Sequence, residues 1–195
     1  MKRRIFSLIV LFGSWCSCAR SQEKLPDCEW CGAVEAPAGV TWTTNIAGRD
    51  EPGERMTIRG KVLRSDGRTP AAGIILYVYH TNAKGIYEKK GNETGNGRRH
   101  GHLRGWIKTN EQGEYEFHTI RPASYPNQTA AAHVHITVKE PDKDEYWIDD
   151  FMFEGDPLLT RERRRQLQNR GGSGIITLDR QAGGSWIGTR NIVLP

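Results

Sequence analysis

The sequence predicts an all-β fold, an antiparallel β-sandwich with long loops and at most one short helix. Three observations predict it. Short runs of β-branched and aromatic residues recur along the chain with turn clusters between them. Twenty-two glycines and nine prolines in 195 residues, at a mean hydropathy of -0.65, suit a turn-rich globular chain and exclude a coiled coil, a helical bundle or a polytopic membrane protein. Only residues 158–168 have a helical composition, and there is no internal repeat.

Residues 1–19 read as a signal peptide: basic Lys2, Arg3 and Arg4 precede an apolar run over 5–12 and then small residues. That run is too short to span a bilayer. Two processing routes are open, a small-x-small site at Ser17 and Ala19, and acylation of Cys18, for which Trp15 and Cys16 make a poor lipobox. The chain is therefore expected to be exported, whether periplasmic, surface-bound or secreted, with a lipid anchor at Cys18 as the alternative to free release. Loss of Lys2, Arg3 and Arg4 reduces 28 positive residues to 25 against 23 negative ones, a net charge of +2. No basic stripe with interleaved aromatics is present, so nucleic acid is not an expected partner. The arginines at 161, 163, 164, 165 and 170 read as a solvated face.

Residues 20–52 read as an irregular arm punctuated by Pro26, Pro37, Gly39, Gly48 and Pro52. It carries Cys28 and Cys31 in C-E-W-C, for which a small-loop disulfide is the leading reading in an exported chain, ahead of a redox or zinc motif. From residue 53 to 195 the pattern is strand and turn. Met56, Ile58 and Val62 alternate before the turn cluster at 65–68, and an apolar, aromatic run follows at 74–79. Residues 106–109, a turn at 110–113, and alternating Tyr115, Phe117 and Thr119 form a second strand-turn-strand unit. Further strands are expected over 133–138, 146–153, 175–178 and 192–194.

Within 133–138, period two places His133 and His135 on one face and Val134, Ile136 and Val138 on the other. Two imidazoles at that spacing can hold one metal ion, although two polar residues on a solvated face would share the pattern. The order of motifs around them is more specific. Gly85, Ile86 and Tyr87 follow an apolar strand; then come the 109–126 segment, with Ser124, Tyr125 and Pro126 at its end, the H-V-H, F-E-G-D-P at 153–157 and W-I-G-T-R at 186–190. This order resembles the intradiol ring-cleavage dioxygenases, the catechol and protocatechuate dioxygenase family, from about residue 53 to 195.

The resemblance implies a β-sandwich holding one non-haem Fe(III) through two tyrosinates and two histidines, which by position are Tyr87, Tyr125, His133 and His135. Phenolate is a hard anionic donor that favours ferric over ferrous iron. By resemblance, an aromatic diol chelates the ferric ion and displaces Tyr125, which takes a substrate proton, and O2 then cleaves the ring between the two hydroxylated carbons. At Ala130, three residues before His133, ring-cleaving members carry an arginine facing the substrate; Arg121, or an arginine of the 98–104 loop, is the candidate to stand in for it. His80, His100, His102 and His118 match no ligand position and are expected at the surface or behind the ligands. The alternative reading is an exported β-sandwich binding module that has lost ring cleavage.

Overall fold

The computed structural model describes residues 31–127 and 129–195, so the signal-peptide reading, Cys18 and Cys28 lie outside the described residues. Twelve strands form among them: β1 Thr43–Asn45, β2 Arg55–Leu63, β3 Ile75–His80, β4 Arg104–Lys108, β5 Glu114–Ile120, β6 His133–Lys139, β7 Tyr146–Trp147, β8 Phe151–Phe153, β9 Ile175–Ile176, β10 Leu178–Arg180, β11 Trp186–Thr189 and β12 Ile192–Val193. They build two sheets. The first runs β1-β5-β2-β11-β10 with β12 also on β2, and the second runs β4-β3-β6-β8-β9 with β7 also on β6.

The sandwich is all-β as expected, but its sheets are mixed rather than purely antiparallel. β1 lies parallel to β5, β11 and β12 parallel to β2, and β9 parallel to β8. Each of these strands returns over a long connection, so no tight hairpin dictates its direction. Two short α-helices form instead of one at most, α1 Gly97–His100 and α2 Arg161–Arg165. A single turn such as α1 is too short to write a 3.6-residue period into the sequence. α2 falls within the expected 158–168 stretch but is shorter than it, starting after Thr160, whose hydroxyl accepts the Arg163 N–H at 3.2 Å.

The described part of the arm is joined to the sandwich. Glu145 accepts the N–H groups of Gly32 and Ala33 at 2.8 and 2.7 Å, β1 extends the first sheet, and Cys31 is disulfide-bonded.

Between the sheets, Ile58 and Phe117 meet Val134, Ile136 and Phe151, all at most 1% exposed. Phe117 and Phe151 touch edge to face at 5.7 Å. Because β6 alternates, burying Val134, Ile136 and Val138 turns His133 and His135 to the outer face of the second sheet. The β3 register places Tyr79 opposite His135 on that face. On its other side β6 pairs with β8 at 133–134 and with β7 at 137–138. The interval between those strands, residues 148–150, leaves the ladder beside His135 and brings Asp150 alongside its ring.

Candidate metal centre

Two loops deliver the tyrosines to the histidine face. The first leaves β3 and turns on Asn82, whose side-chain oxygen accepts the N–H groups of Lys84 and Ile86 at 2.9 and 3.1 Å. Gly85 sits in this turn at φ +76°, and a Cβ there would lie 2.0 Å from the Ser124 carbonyl oxygen. Only glycine permits both the backbone angle and this approach, which sets Tyr87 beside Tyr125. The second loop is tied to the first by the Ala123 N–H on the Asn82 carbonyl at 3.2 Å and the Thr81 hydroxyl on the Ala123 carbonyl at 2.7 Å.

Four atoms converge. Tyr87 Oη lies 2.9 Å from Tyr125 Oη and 2.9 Å from His135 Nε2. Tyr125 Oη lies 3.3 Å from His133 Nε2, and the two Nε2 atoms are 3.0 Å apart. Separations of this size are those of donors sharing one coordination sphere with bonds of roughly 2 Å. The structure therefore brings together Tyr87, Tyr125, His133 and His135 in a half-buried cluster.

Hydrogen bonding on the far side of each imidazole fixes its tautomer. His133 Nδ1 faces the Ala131 carbonyl oxygen at 2.7 Å, and His135 Nδ1 faces the Asp150 carboxylate at 3.2 Å. Both partners are acceptors, so both Nδ1 atoms carry a proton and each ring turns its Nε2 towards a phenol oxygen. Burial, reinforced by the facing His135 and with a smaller contribution from the Arg163 charge, lowers the His133 pKa and keeps that ring neutral. Burial, with the Tyr125 hydrogen bond, pushes the Tyr87 phenol well above its usual range, so only a strong Lewis acid removes its proton near neutral pH. Two imidazole nitrogens and two phenol oxygens are a donor set that fits ferric iron.

Asp150 also offers an oxygen to this cluster, within 4.8 Å of ligand atoms of His133 and His135. Its hydrogen bond is to Nδ1 of His135, on the side of the ring away from Nε2, so it orients the imidazole. Burial would raise the Asp150 pKa, but His135 and the hydrogen bond to it outweigh burial and hold the carboxyl below its usual range. Arg190 braces this segment from beneath, donating to the Asp149 carbonyl at 2.6 Å.

Arg121 is not brought to the four donors. Its backbone N–H bonds to the Glu54 carbonyl at 2.8 Å, and its guanidinium lies 3.8 Å from the Glu54 carboxylate and 5.5 Å over the Trp186 ring. The end of β5 thus carries Arg121 along the first sheet. Of the arginines over 98–104, Arg104 opens β4 and lies over Trp106 at 5.1 Å. His80 and His100 are buried, bonded respectively to Thr119 and Tyr77. His102 meets Glu51 at 2.8 Å and His118 meets Glu116 at 3.0 Å.

A cavity of about 580 Å3 shares His135 and Asp150 with the site and is further lined by Tyr79, Trp147, Met152 and Arg163. Asp150, Tyr79 and Arg163 were not singled out by the sequence. The only signal for Tyr79 is its place on the same strand face as Tyr77, and Asp150 has no local pattern at all.

A family profile described as Dioxygenase matches residues 32–170. The chain is 35% identical over 126 residues to catechol 1,2-dioxygenase 1 of Acinetobacter lwoffii, a match covering 56% of this chain and 39% of that protein. It is 31% identical over 132 residues to the protocatechuate 3,4-dioxygenase beta chain of Burkholderia cepacia, covering 60% of this chain and 52% of that one. The chain spans about half the length, or less, of these relatives. Among solved structures it is similar to the dioxygenase domain of a dioxygenase carbohydrate-binding protein fusion from Streptomyces sp. SirexAA-E, with a TM-score of 0.61 at 22% identity over 81% of this chain and 90% of that one. An intradiol ring-cleavage dioxygenase from Tetranychus urticae matches with a TM-score of 0.56 at 21% identity over 76% of this chain and 84% of that one. At such identities the structural likeness establishes the fold.

Proposed function

Starting from a chain that belongs to the intradiol ring-cleavage dioxygenase family, we propose that it is a non-haem Fe(III) dioxygenase that uses O2 to cleave catechol-type rings between the two hydroxylated carbons. The observation that carries this reading is the pair of Nε2 atoms 3.0 Å apart, closed into a ring by two phenol oxygens. A surface binding module has no use for four converging nitrogen and oxygen donors in a half-buried cluster.

Tyr87, Tyr125, His133 and His135 would hold the iron. Bound there, ferric iron supplies a Lewis acid that takes both oxygens of an aromatic diol and draws electron density from its ring. Tyr125 is the donor best placed to exchange, since its 3.3 Å contact to His133 is the longest in the ring. Once displaced, its phenolate oxygen can accept the proton of a diol hydroxyl. Tyr87 stays, held by the Gly85 turn and by His135 at 2.9 Å. His135 is kept in its working tautomer by Asp150. The substrate partner is a small aromatic diol.

Iron-loaded protein is expected to show a phenolate-to-iron absorption band in the visible, to shift it on anaerobic addition of catechol, and then to consume O2 and release a ring-opened diacid. Iron-replete protein with no visible band, or a band insensitive to catechol, overturns the assignment. Binding of catechol without oxygen uptake removes ring cleavage and leaves the metal site.

Export is part of the proposal, supported by the basic and apolar leader and by the disulfide at Cys31. Mass spectrometry of the native protein is expected to find an N-terminus at Cys18 or near Arg20, and an intact Met1 on mature material contradicts it.

A further inference from the structure

Among the described residues, Tyr77 is the tyrosine whose phenol meets an imidazole outside the metal centre. It is wholly buried, and its Oη lies 2.8 Å from Nδ1 of the buried His100. The Arg104 guanidinium also faces this oxygen and can only donate, so the hydrogen of the phenol is left for Nδ1. The proton of the neutral ring then sits on Nε2, a buried atom with no hydrogen-bond partner among the described residues. Leaving a buried N–H unpaired is costly, and what it provides here is a bare Nδ1 for Tyr77. The tyrosines elsewhere in the core lack such a base. Tyr115 donates to the Arg190 carbonyl, and Tyr146 to Glu140, a carboxylate that Lys143 already meets at 2.7 Å.

A line of rings joins this pair to the metal centre and to the surface. Tyr79 lies 6.0 Å from Tyr87 and 5.5 Å from Tyr77, centroid to centroid, and stacks on His100 at 3.7 Å and 7°. On the other side of Tyr77, Trp106 lies 5.3 Å away and is half-buried, its Nε1 donating to the Gly32 carbonyl at 2.6 Å. Gly32 presses so closely on Tyr77 that a Cβ there would come within 2.6 Å of the ring, so the arm seals the tyrosine from water. Neighbouring aromatic rings are the side chains best suited to pass single electrons, and a packed, dry setting leaves little to reorganise when they do.

We propose that Tyr77 and His100 form a one-electron redox site that carries electrons from the metal centre, through Tyr79, to Trp106 and a phenoxyl-class radical outside, keeping the iron ferric. Only an oxidant about as strong as a tyrosyl radical can draw on Tyr77, which is why the partner is a radical of that class. Tyr77 gives one electron through Trp106 to the oxidant, and its proton crosses to His100 Nδ1, leaving a neutral phenoxyl radical beside an imidazolium. A phenol that has lost an electron is a far stronger acid than an imidazolium, so the weak basicity that burial imposes on His100 does not stop the proton. Tyr77 then draws one electron through Tyr79 and Tyr87 from ferrous iron, which becomes ferric, and the proton returns from His100. The outside radical, reduced by one electron, takes a proton from water and becomes a phenol. The inference rests on the dioxygenase reading for the iron, whereas the Tyr77–His100 pair stands without it.

The test uses iron-loaded protein reduced to the ferrous state and photogenerated tris(bipyridine)ruthenium(III) as the outside one-electron oxidant. The visible phenolate-to-iron band is expected to return after the flash. Tyr77→Phe and Tyr79→Phe should each lose the fast phase of that return, and Trp186→Phe, off the line of rings, should keep it. In metal-free protein the same flash should leave a tyrosyl radical, detected by electron paramagnetic resonance. Its formation should slow on the order of 100-fold in His100→Gln, which accepts a hydrogen bond but cannot hold the proton. A measurement on the unmodified chain guards against misfolded variants: with isotope-labelled histidine, the radical should show coupling to an imidazole nitrogen. Absence of that coupling overturns the inference, as does a band that returns equally fast in Tyr77→Phe and Trp186→Phe, and both leave the dioxygenase reading standing. Ferric protein with no visible band overturns the dioxygenase reading, and this inference with it.

Discussion

Asp150 holds His135 from behind, its two carboxylate oxygens 3.2 and 3.1 Å from Nδ1 while Nε2 of the same ring faces Tyr87. The acceptor fixes the tautomer and raises the basicity of the nitrogen that faces the donors. Asp150→Ala is expected to lower iron affinity by about 10- to 100-fold. Asp150→Asn keeps an acceptor without the charge and should fall between. Iron retained after dialysis against graded chelator measures both, and equal retention by all three proteins removes this role from Asp150.

Gly85 joins the two tyrosine loops. At φ +76° an added methyl group is strained by the backbone angle alone, and its Cβ would meet the Ser124 carbonyl oxygen at 2.0 Å. Backbone must therefore move, and it moves between Tyr87 and Tyr125. Gly85→Ala is expected to destabilise the fold by about 1 to 3 kcal/mol and to weaken the visible band of iron-loaded protein. A variant with unchanged melting temperature and unchanged band shows that the loops do not depend on this approach.

Stability should fall in mild acid for a reason unrelated to the metal. Burial lowers the pKa of His80 and of His100 to about 4, whereas a histidine of the unfolded chain takes up its proton near ~6.5. Between those values the unfolded state binds more protons, so stability present above about pH 6.5 is lost as the pH falls towards 4. The lowered carboxyl of Asp150 acts in the same direction only at more acid pH. Urea midpoints of metal-free protein at pH 7.5 and pH 5 should differ, with the lower value at pH 5, and His80→Gln should narrow the gap. Equal midpoints would mean that the two buried rings carry protons in the fold.

How much of this was legible depends on the range of the signal. β6 could be read from sequence because Val134, Ile136 and Val138 alternate with polar residues, and that alternation alone places His133 and His135 on one face. Tyr87 and Tyr125 have no local signature, and only the order of motifs picked them out. β1 is three polar residues that pair with a strand about 70 positions away, a partnership no local window contains. Asp150 reaches His135 because the strand opposite β6 is interrupted, a property of two short strands and not of the residues between them. Arg163 sits in a run of arginines that composition assigns to solvent, and Arg121 is drawn off by Glu54 and Trp186. Which arginine meets the cavity is decided by tertiary packing.

The two tyrosines should be separable by substitution, because the structure seats them differently. Tyr87 follows the Gly85 turn and contacts both Tyr125 and His135 at 2.9 Å. Tyr125 lies on the 121–127 loop, and its contact to His133 is longer, at 3.3 Å. Tyr87→Phe removes the phenol held by two 2.9 Å contacts, so iron retention and the intensity of the visible band are both expected to drop sharply. Tyr125→Phe leaves three donors, so a reduced band from Tyr87 should persist and some iron should be kept. What it loses is the phenolate that receives the diol proton. Anaerobic catechol should therefore still shift the residual band, while the rate of binding and the turnover in O2 fall by on the order of 100-fold or more, the usual worth of a positioned proton acceptor. A general base supplied in the buffer should recover part of the binding rate in Tyr125→Phe and none of the lost iron in Tyr87→Phe. If the two variants lose iron and turnover to the same extent, the tyrosines are equivalent ligands, and the assignment of Tyr125 as the one that exchanges is wrong.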